Sequence, residues 1–412
     1  MSTQCNKPLM IERKAYIKQL YQYLDKPLIK VLTGVRRSGK STILQMFRDD
    51  LIRNNHIKAE NAISINFEDM TNRKLLTADA LYEHLLPYTQ SNENIYIFLD
   101  EIQNVAEFER VLDSLFVQPN IDLYVTGSNA RFLSSDLATM LTGRYIEIKV
   151  YPLSFAEYTN SFEIQPDLIQ AYNYYVTYSS FPEAVNLFKV DPQTVSVYLQ
   201  SIYNTVVFRD VVARYGIRDD TKFFDVAKYL FDNIGNITDP KRISDYLTSN
   251  GRSTSNHTVE SYISALNESF VVYSASRYDI KGKQLLKTNS KYYLVDPALR
   301  NLLSDASPSD YGRVLENVVF FELLRRYDKV WVGKTQNKEV DFVVRRSFGE
   351  PQIEYFQVAL SVRDEATRTR ELSALRTTDD YPKTLLTLDI EEGNYSGIIQ
   401  RNVLTWLLDD YA

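Results

Sequence analysis

One short stretch constrains the fold of this 412-residue chain more than any other, the sequence GVRRSGKS at positions 34–41. An apolar run precedes it and apolar residues recur at helical spacing behind it, so the pattern predicts a strand, a tight loop and the first turn of a helix. The residues of the two patterns are Leu28, Ile29, Val31 and Leu32 on the strand side, and Ile43, Leu44, Phe47 and Leu51 on the helix side.

A loop that ends on a helix N-terminus suits the phosphate groups of a nucleotide, because free backbone N–H groups and the positive end of the helix dipole meet there. Gly34 and Gly39 allow the backbone to take positive φ values and to approach an anion closely. Lys40 can reach the β- and γ-phosphates, and the Ser41 hydroxyl can bind Mg²⁺. We call this segment the phosphate loop and predict these binding residues: Gly34, Val35, Arg36, Arg37, Ser38, Gly39, Lys40, Ser41 and Thr42.

A second stretch, IYIFLDE at positions 95–101, predicts a strand buried on both faces of a parallel sheet, because its apolar run is nearly continuous. Open α/β sheets place their ligands at the carboxyl ends of the strands, where Asp100 and Glu101 stand. Asp100 can hold Mg²⁺ directly or through water, and Glu101 can polarise an attacking water. Two adjacent carboxylates alone would be read more simply as an acidic turn at the end of a strand. The phosphate loop upstream favours the interpretation as a site for Mg²⁺ and for the attacking water.

The apolar stretch at positions 121–127 predicts a further strand, which ends in Ser128 and Asn129. A polar side chain there can contact the γ-phosphate or orient the water, the role called sensor 1. Ser and Asn also serve as turn residues at strand ends. We favour the sensor, and the sequence does not separate Ser128 from Asn129.

Composition excludes several kinds of site. Cys5 is the only cysteine, which excludes disulfides within the chain and sites with several thiolates. The formal net charge of −6 means that any contact with nucleic acid must come from a local patch. Eighteen apolar residues never follow one another, so we expect no membrane contact and a cytoplasmic location.

Four motifs together resemble a known family: GVRRSGKS (34–41), IYIFLDEIQ (95–103), YVTGSNARFLSSDLATMLTGRY (124–145) and YPLSFAEY (151–158). They are similar to bacterial and archaeal AAA+-type ATPases in which the ATP-binding domain is followed by a C-terminal domain of unknown function. The resemblance spans essentially the whole chain. It implies an α/β fold with a P-loop NTPase core of five parallel strands, ATP and Mg²⁺ as ligands, and a homo-oligomer.

The resemblance also implies an arginine finger at the end of the helix before the fifth strand, and the matching residue is Arg144. Such a finger would enter a neighbouring subunit's site and offset the charge on the transferred phosphoryl group. A surface arginine is an equally good reading of Arg144. Whether Arg36 and Arg37 contact nucleotide or a neighbour stays open.

The same resemblance divides the chain into an ATP-binding core (1–150), a helical lid (151–216), a winged-helix domain (217–303) and a C-terminal domain (304–412). In the lid, Arg209 or Arg214 could reach the γ-phosphate or simply form a surface ion pair. The third helix of the winged-helix domain has four candidate outward-facing residues, which are Thr258, Tyr262, Ser264 and Asn267.

A basic hairpin follows that helix, and it would form the wing of a winged-helix domain. A DNA reader would place the third helix in the major groove and the wing lysines on phosphates. Winged helices that dock proteins or act as lids are the alternative. The hairpin lysines are Lys281, Lys283, Lys287 and Lys291.

The C-terminal part resembles the PD-(D/E)xK restriction-nuclease fold, with Glu316 on a helix and Asp341 on a strand. The position of the Glu-x-Lys pair reads Gln357-Val358-Ala359, so a metal-binding carboxylate and the lysine are missing. Two acceptors without that lysine make a poor two-metal centre. We therefore expect a degenerate domain in which Glu316 and Asp341 serve as hydrogen-bonding residues.

Taken together, the patterns favour an ATP-hydrolysing AAA+-like protein whose nucleotide cycle moves the winged-helix module, with DNA as the favoured effector. A slow nucleotide-dependent switch or scaffold for protein partners is the alternative. An ATP-coupled nuclease is a third reading, and Gln357 and Ala359 argue against it.

Overall fold

The computed structural model describes residues 10–128, 141–164, 166–286, 289–303, 310–335, 338–347 and 353–409, with the backbone alone for 207–210. Three sheets organise these residues. Among them no helix combines the length and the apolar character that crossing a bilayer requires.

The first sheet has five strands in the order β2-β3-β4-β1-β5, and all four pairings are parallel. This confirms the predicted parallel α/β core. Strands β1 and β3 are buried along their whole length; β3 has the nearly continuous apolar sequence that this requires, and β1 contains Lys30, which pairs with Asp122. The strands are β1 (Ile29–Thr33), β2 (Ala62–Asn66), β3 (Ile95–Asp100), β4 (Ile121–Gly127) and β5 (Tyr145–Lys149).

Helices cover this sheet on both faces and divide its core into two apolar clusters. Leu81, Leu112 and Leu115 close one face, while Leu20, Ile43 and Phe47 close the other. The described helices of the core are α1 (Lys14–Gln22), α2 (Lys40–Arg53), α3 (Ala78–Thr89) and α4 (Phe108–Phe116).

A helical segment follows β5, as predicted for the lid. Within it a helix begins at Pro182, because Phe181 is the N-cap and the proline occupies the first turn. The helices are α5 (Phe155–Asn160), α6 (Leu168–Tyr178), α7 (Pro182–Val190), α8 (Pro192–Ile202) and α9 (Val211–Tyr215), with a π-helical stretch at Tyr203–Asp210 between the last two.

Three further helices and a small antiparallel sheet form the middle of the chain. The sheet has the order β6-β10-β7. Its elements are α10 (Asp220–Asp232), β6 (Ile237–Thr238), α11 (Pro240–Ser249), α12 (Asn256–Glu268), β7 (Val272–Ala275) and β10 (Ser290–Leu294).

The predicted outward face of α12 is wrong at one position. Tyr262 is buried, its ring packs edge-to-face on Phe223 at 5.5 Å, and its hydroxyl donates to the Asp219 carbonyl oxygen. The helix is therefore rotated so that its exposed residues are Asn256, His257, Glu260, Ser261 and Ser264.

The basic hairpin also differs from a free wing. Its strands β8 (Arg277–Asp279) and β9 (Gln284–Leu285) extend the eight-stranded sheet of the C-terminal part, where β8 pairs in parallel with β11 (Lys329–Lys334). Lys281 and Lys283 are exposed at its turn, and Lys287 lies outside the described residues. Lys291 lies in β10 and is only 3% exposed, so its assignment to a phosphate-binding wing is wrong.

The eight-stranded sheet has the order β15-β16-β14-β13-β12-β11-β8-β9 and carries the C-terminal helices on its faces. Its remaining elements are α13 (Tyr311–Arg326), β12 (Glu339–Arg345), β13 (Ile353–Ala359), α14 (Glu365–Leu375), β14 (Lys383–Thr387), β15 (Gly393–Asn394), β16 (Ile398–Asn402) and α15 (Val403–Leu408).

The segment after β5 joins the first sheet to the C-terminal part. The Tyr151 ring lies 5.6 Å from Phe321 of α13 and 5.8 Å from Tyr273 of β7, measured between ring centroids. Arg325 of α13 donates to the Pro152 carbonyl oxygen at 3.0 Å. The start of the segment after β5 thus packs directly against α13 and β7.

Candidate functional site

The phosphate loop has the backbone that anion binding requires. Gly34 has a φ of 146°, and a Cβ there would lie 2.1 Å from the Val150 carbonyl oxygen, so only glycine fits. Gly39 is the N-cap of α2, with a φ of 97° and no capping side chain. The first N–H groups of α2 are therefore available to a ligand.

Lys40 is buried and folds back over its own loop. Its Nζ donates to the carbonyl oxygens of Gly34 at 2.9 Å and Val35 at 3.1 Å. Burial lowers the pKa of Lys40, and the nearby Glu101 and Asp100 charges oppose that shift. An ammonium held by two neutral carbonyls can exchange them for the oxygens of a more strongly attracting phosphate.

Side chains from three other elements donate hydrogen bonds to Asp100 at the end of β3. Its Oδ1 accepts hydrogen bonds from the Ser41 hydroxyl at 2.9 Å and the Thr126 hydroxyl at 2.6 Å, and its Oδ2 accepts from Asn66 Nδ2 at 2.9 Å. Burial raises the pKa of Asp100, although the two hydroxyls favour the charged form. Ser41 and Asp100 thus present adjacent oxygen atoms of the kind that Mg²⁺ prefers.

Glu101 leaves β3 in a left-handed conformation with a φ of 55°. Its N–H donates to Thr126 Oγ1 at 2.8 Å, and its Oε2 accepts from the Ser128 hydroxyl at 2.7 Å and from Gln103 Nε2. Of the two candidate sensors, Ser128 therefore contacts Glu101. Asn129 lies outside the described residues.

A cavity of about 490 Å³ opens in front of these groups. This volume is within the range of small-molecule sites. Its walls come from the phosphate loop, from the segment before α1, from Leu153, and from α7 and α8. The predicted residues that line it are Arg36, Arg37, Gly39, Lys40, Ser41, Thr42 and Glu101.

Gly34, Val35 and Ser38 of the phosphate loop do not line the cavity. Val35 and Ser38 are buried, and the Ser38 hydroxyl finds no partner among the described residues. Arg36 pairs with Glu68 at 2.5 Å at the rim of the cavity.

Sequence reasoning missed one residue that braces the loop. Arg13 is 2% exposed and donates to three groups: the Ser38 carbonyl oxygen at 3.0 Å, the Tyr151 carbonyl oxygen at 2.8 Å and Glu157 Oε1 at 2.8 Å. Glu157 belongs to a capping box with Ser154, a pattern that is visible in the sequence. No sequence signal announces Arg13, whose partners lie far along the chain.

Arg144 lies outside this cavity in the described structure. It pairs with Asp113 of α4, and its guanidinium lies 5.4 Å from the centre of the Phe116 ring. Its side chain is 40% exposed. Arg214 is exposed in α9, and the Arg209 side chain lies outside the described residues.

The C-terminal carboxylates surround a lysine from the middle of the chain. Lys291 Nζ lies 2.8 Å from Glu316 Oε1, 2.7 Å from Glu339 Oε1 and 3.7 Å from Asp341 Oδ1. These charges raise the pKa of Lys291 against the opposing effect of burial. In the described part of the chain, no group of three or more His, Cys, Asp or Glu residues is arranged to hold a metal ion.

Glu316 and Asp341 are also hydrogen-bonded as expected from the sequence. Glu316 accepts from the Tyr293 hydroxyl at 2.6 Å, and Asp341 accepts from the Val358 N–H at 2.9 Å. Gln357 accepts from the Asp341 N–H and donates to Glu371. An ammonium, that of Lys291, therefore lies among these carboxyl groups.

Two segments of the chain match described families. Residues 26–159 match the AAA domain, and residues 169–310 match a domain of unknown function. The first match contains the phosphate loop, Asp100, Glu101 and Arg144. The second ends before α13, so it does not extend over the helices and most of the strands of the eight-stranded sheet.

Whole-chain relatives exist in bacteria and archaea. An uncharacterized protein of Haemophilus influenzae is 39% identical over 406 residues, which are 97% of this chain and 99% of the relative. An uncharacterized protein of Methanocaldococcus jannaschii is 28% identical over 383 residues, which are 89% of this chain and 80% of the relative. The arrangement of the chain is therefore shared along nearly its full length.

Among solved structures, a Walker-type ATPase of Pyrococcus abyssi is similar with a TM-score of 0.51 and 16% identity. The likeness covers 72% of this chain and 98% of that one. At this identity it shows the shared fold alone.

Proposed function

Because the chain belongs to the AAA+-type P-loop ATPase family, we propose that it binds ATP with Mg²⁺ at the phosphate loop and hydrolyses it. The observation that carries the proposal is the contact between the Ser41 hydroxyl and Asp100, with Glu101 beside it at the same cavity. A fold that only bound nucleotide would need no second carboxylate at this place. Glu101 favours hydrolysis for that reason.

The residues fit the proposed ligands. The uncapped start of α2 and the Lys40 ammonium both suit phosphate oxygens. Ser41 and Asp100 would hold Mg²⁺. When bound, the ion neutralises part of the charge on the β- and γ-phosphates.

Each residue then has a separate task. Lys40 leaves the Gly34 and Val35 carbonyl oxygens and binds phosphate oxygens. Glu101 accepts a hydrogen bond from the attacking water and so directs it. Ser128 and Gln103 fix the direction of the Glu101 side chain, and Asn129 remains a second candidate for sensor 1.

We further propose that Arg144 acts on the nucleotide of a neighbouring copy in a homo-oligomer. The support is its 40% exposed side chain and its position directly before β5. Its pairing with Asp113 would break on assembly. This ion pair is partly exposed, so its loss costs little.

The nucleotide would also move the helices that follow β5. Helices α7 and α8 form part of the cavity wall, so a ligand that fills the cavity changes their contacts with the loop. The segment after β5 contacts α13 directly. This supports a nucleotide-driven movement of the middle and C-terminal parts.

DNA as effector has narrower support. Lys281 and Lys283 are exposed on the hairpin, whereas the exposed face of α12 carries Glu260 and no Lys or Arg. The hairpin is therefore the better candidate for phosphate contacts. Binding would fall steeply with salt, and reversing the charges of Lys281, Lys283 and Lys287 would abolish it. Unchanged DNA binding in that variant would refute the contact.

A slow switch or scaffold for protein partners is the second candidate function. The pairing of Glu316 with Lys291 supports it. The carboxylates of Glu316 and Glu339 pair with Lys291 and so bind the C-terminal part to the middle of the chain. Such a domain suits protein docking better than strand cleavage. Incubation with DNA and Mg²⁺ or Mn²⁺ should produce no cleavage that depends on Asp341.

Calorimetric titration with ATP and Mg²⁺ tests the binding site. We expect saturable binding by the wild type and its loss in Lys40→Ala, while Ser41→Ala binds ATP but responds weakly to Mg²⁺. Binding that is unchanged in Lys40→Ala would refute the site.

Phosphate release measured with and without DNA separates the ATPase with DNA as effector from the slow switch. A switch would hydrolyse ATP slowly, and DNA would not change its rate.

A further inference from the structure

Asp296 is a completely buried carboxylate that joins two segments far apart in the sequence. Its Oδ2 accepts hydrogen bonds from the Ser179 hydroxyl at 2.8 Å, and from the N–H and the hydroxyl of Ser180, both at 2.7 Å. Its Oδ1 accepts from the Ala298 N–H at 2.8 Å. The first segment connects α6 to α7, and the second begins the 3₁₀ helix Pro297–Leu302. We call these four hydrogen bonds the Asp296 latch.

The carboxylate of Asp296 is costly to bury. All four donors of the latch are uncharged groups, two hydroxyls and two N–H groups. Burial raises the pKa of Asp296, and the hydrogen bonds oppose that shift because they favour the charged form. A buried carboxylate without a cation costs more free energy than a neutral residue in the same place.

The turn that Asp296 holds is strained. Ser179 is completely buried, with a φ of 83° and a ψ of 153°, a combination that is essentially restricted to glycine. Its hydroxyl also accepts from the Phe181 N–H at 3.1 Å, which ties the turn to the start of α7. A strained backbone persists only where the surrounding contacts impose it. Opening the Asp296 latch would therefore let this turn relax.

One side of the latch reaches the nucleotide cavity. The Ser180 carbonyl oxygen accepts from the Leu153 N–H at 2.8 Å, and Leu153 lines the cavity. Pro182 also lines it, and its Cγ lies 3.6 Å from the place that a Cβ on Gly39 would occupy. A ligand on the phosphate loop therefore lies against residues that flank the latch.

The other side of the latch reaches the middle and C-terminal parts of the chain. Arg300 of the 3₁₀ helix donates to the Phe231 carbonyl oxygen of α10 at 3.1 Å. Asn317 of α13 binds both the N–H and the carbonyl oxygen of Leu294, each at 2.8 Å. The backbone on both sides of Asp296 is thus fixed to neighbouring helices.

We propose that Asp296 is a positioning residue for the nucleotide site, and that its latch couples ATP binding to the position of the 3₁₀ helix. This inference rests on the proposed function. The latch has a closed state, as in the structure, and an open state in which Ser179 relaxes. Strain disfavours the closed state, whereas ATP favours it, because a ligand between the phosphate loop and α7 holds the start of α7 in place. Coupling is reciprocal, so a partner that displaces the 3₁₀ helix lowers the affinity for ATP.

Hydrogen exchange of the Ser180 and Ala298 N–H groups tests the coupling, because both groups are bonded to Asp296. The probe is the non-hydrolysable ATP analogue AMPPNP with Mg²⁺, added to the full chain. In the wild type it should slow the exchange of both groups about tenfold or more. Asp296→Asn replaces one acceptor oxygen with an amide, so exchange should be fast with and without AMPPNP. Its Kd for AMPPNP should rise about tenfold.

Two substitutions of Ser179 isolate the backbone strain. Ser179→Gly and Ser179→Ala both lose the hydroxyl, but only glycine adopts a φ of 83° without strain. The glycine variant should therefore bind AMPPNP about tenfold more tightly than the alanine variant, with slower exchange at Ala298. Both variants keep Asp296, so this comparison gives a decision even where Asp296→Asn is too unstable to fold.

Ser396→Gly is the matched control. Ser396 has a φ of 57° at an exposed turn of the eight-stranded sheet, so the substitution relieves another positive φ away from the latch. It should change neither the Kd for AMPPNP nor the exchange of the Ala298 N–H.

The outcomes separate this inference from the proposed function. A wild type that binds AMPPNP without any change in the exchange of Ser180 and Ala298 refutes the coupling. A folded Asp296→Asn variant that responds like the wild type refutes it as well, and equal Kd values for Ser179→Gly and Ser179→Ala refute the role of strain. A wild type that does not bind AMPPNP refutes the proposed function itself.

Discussion

Lys291→Met tests the most unusual contact in the chain, the lysine that three carboxyl groups surround. Lys291 lies in β10, Glu316 in α13, and Glu339 and Asp341 in β12. Methionine keeps the length and the apolar stem of the lysine side chain but removes its charge. The substitution therefore isolates the electrostatic part of the junction between the middle sheet and the C-terminal sheet.

The magnitude follows from burial. Lys291 is 3% exposed, and its Nζ has carboxylate oxygens at 2.7 and 2.8 Å and a third at 3.7 Å. Removing one partner of a buried ion pair costs about 3–5 kcal/mol, because the remaining charge stays buried without compensation. A loss of that size is a large fraction of the stability of an ordinary domain.

The two tryptophans make the assay selective. Trp331 in β11 stacks on Tyr278 of β8 with 5.2 Å between ring centroids, and Trp406 in α15 packs on Phe356 of β13 at 5.8 Å. Tryptophan fluorescence during urea unfolding therefore reports the eight-stranded sheet. We expect the free energy of unfolding of that transition to fall by about 3 kcal/mol or more.

Two controls define the interpretation. Lys281→Met removes an exposed hairpin lysine and should change the free energy of unfolding by less than about 0.5 kcal/mol. The triple variant Lys291→Met, Glu316→Gln, Glu339→Gln should recover most of the lost stability, because it also removes the two carboxylates that lie nearest to the lysine. A Lys291→Met protein as stable as Lys281→Met would refute the electrostatic account of this junction.

Three further predictions concern the catalytic side and the pH dependence. Thr126→Val removes the hydroxyl that donates to Asp100 and accepts from the Glu101 N–H, so kcat should fall about ten- to a hundredfold with little change in KM for ATP. Thr126→Ser keeps the hydroxyl and should restore kcat. Equal kcat values for the valine and serine variants would argue against this role. Arg144→Ala should lower turnover by about 10³-fold without weakening ATP binding. Mixing this variant with Glu101→Gln should restore activity, because an intact site of the first variant then meets an intact arginine of the second. A mixture as inactive as its components would contradict action in trans. Burial raises the pKa of Asp341 to about 8 in the folded chain, against about 3.9 when unfolded. Its contribution to the free energy of unfolding is thus complete below about pH 4 and is lost as the pH rises towards 8. The wild type should lose stability relative to Asp341→Asn over that range in urea titrations, and a constant difference would exclude the shift.

The parts of the site that could be predicted from the sequence are local. Gly34, Gly39, Lys40 and Ser41 stand within eight residues, and the buried strand before Asp100 is visible as an apolar run. Because parallel strands end at one edge, the second motif could be placed opposite the first. The family resemblance added the parallel core, and the structure confirmed it.

The supporting contacts could not be predicted, because they join distant positions through ordinary residue types. Arg13 and Glu157 are 144 residues apart, and neither belongs to the motifs of the phosphate loop or of β3. Thr126 precedes the candidate sensors but showed no pattern of its own. Lys291 was predicted as a wing lysine, because only the folded chain brings Glu316 and Glu339 to it.

The predicted outward face of α12 was wrong at Tyr262 for a similar reason. Tyr262 has a hydroxyl and could face either water or the core, and its burial is decided by Phe223 on another helix. The hairpin between β7 and β10 was predicted as a local wing. Its pairing with β11 depends on a strand more than forty residues further on, which local periodicity does not reveal.

The most direct test of the central claim compares phosphate release by the wild type and Glu101→Gln, with ATP binding measured on the same samples. The account predicts turnover by the wild type, and a loss of about a hundredfold or more in Glu101→Gln with ATP affinity nearly unchanged. Glu107→Gln, at an exposed glutamate that also has a positive φ, should match the wild type. Equal turnover by Glu101→Gln and the wild type, or ATP binding by the wild type without any phosphate release, would contradict it.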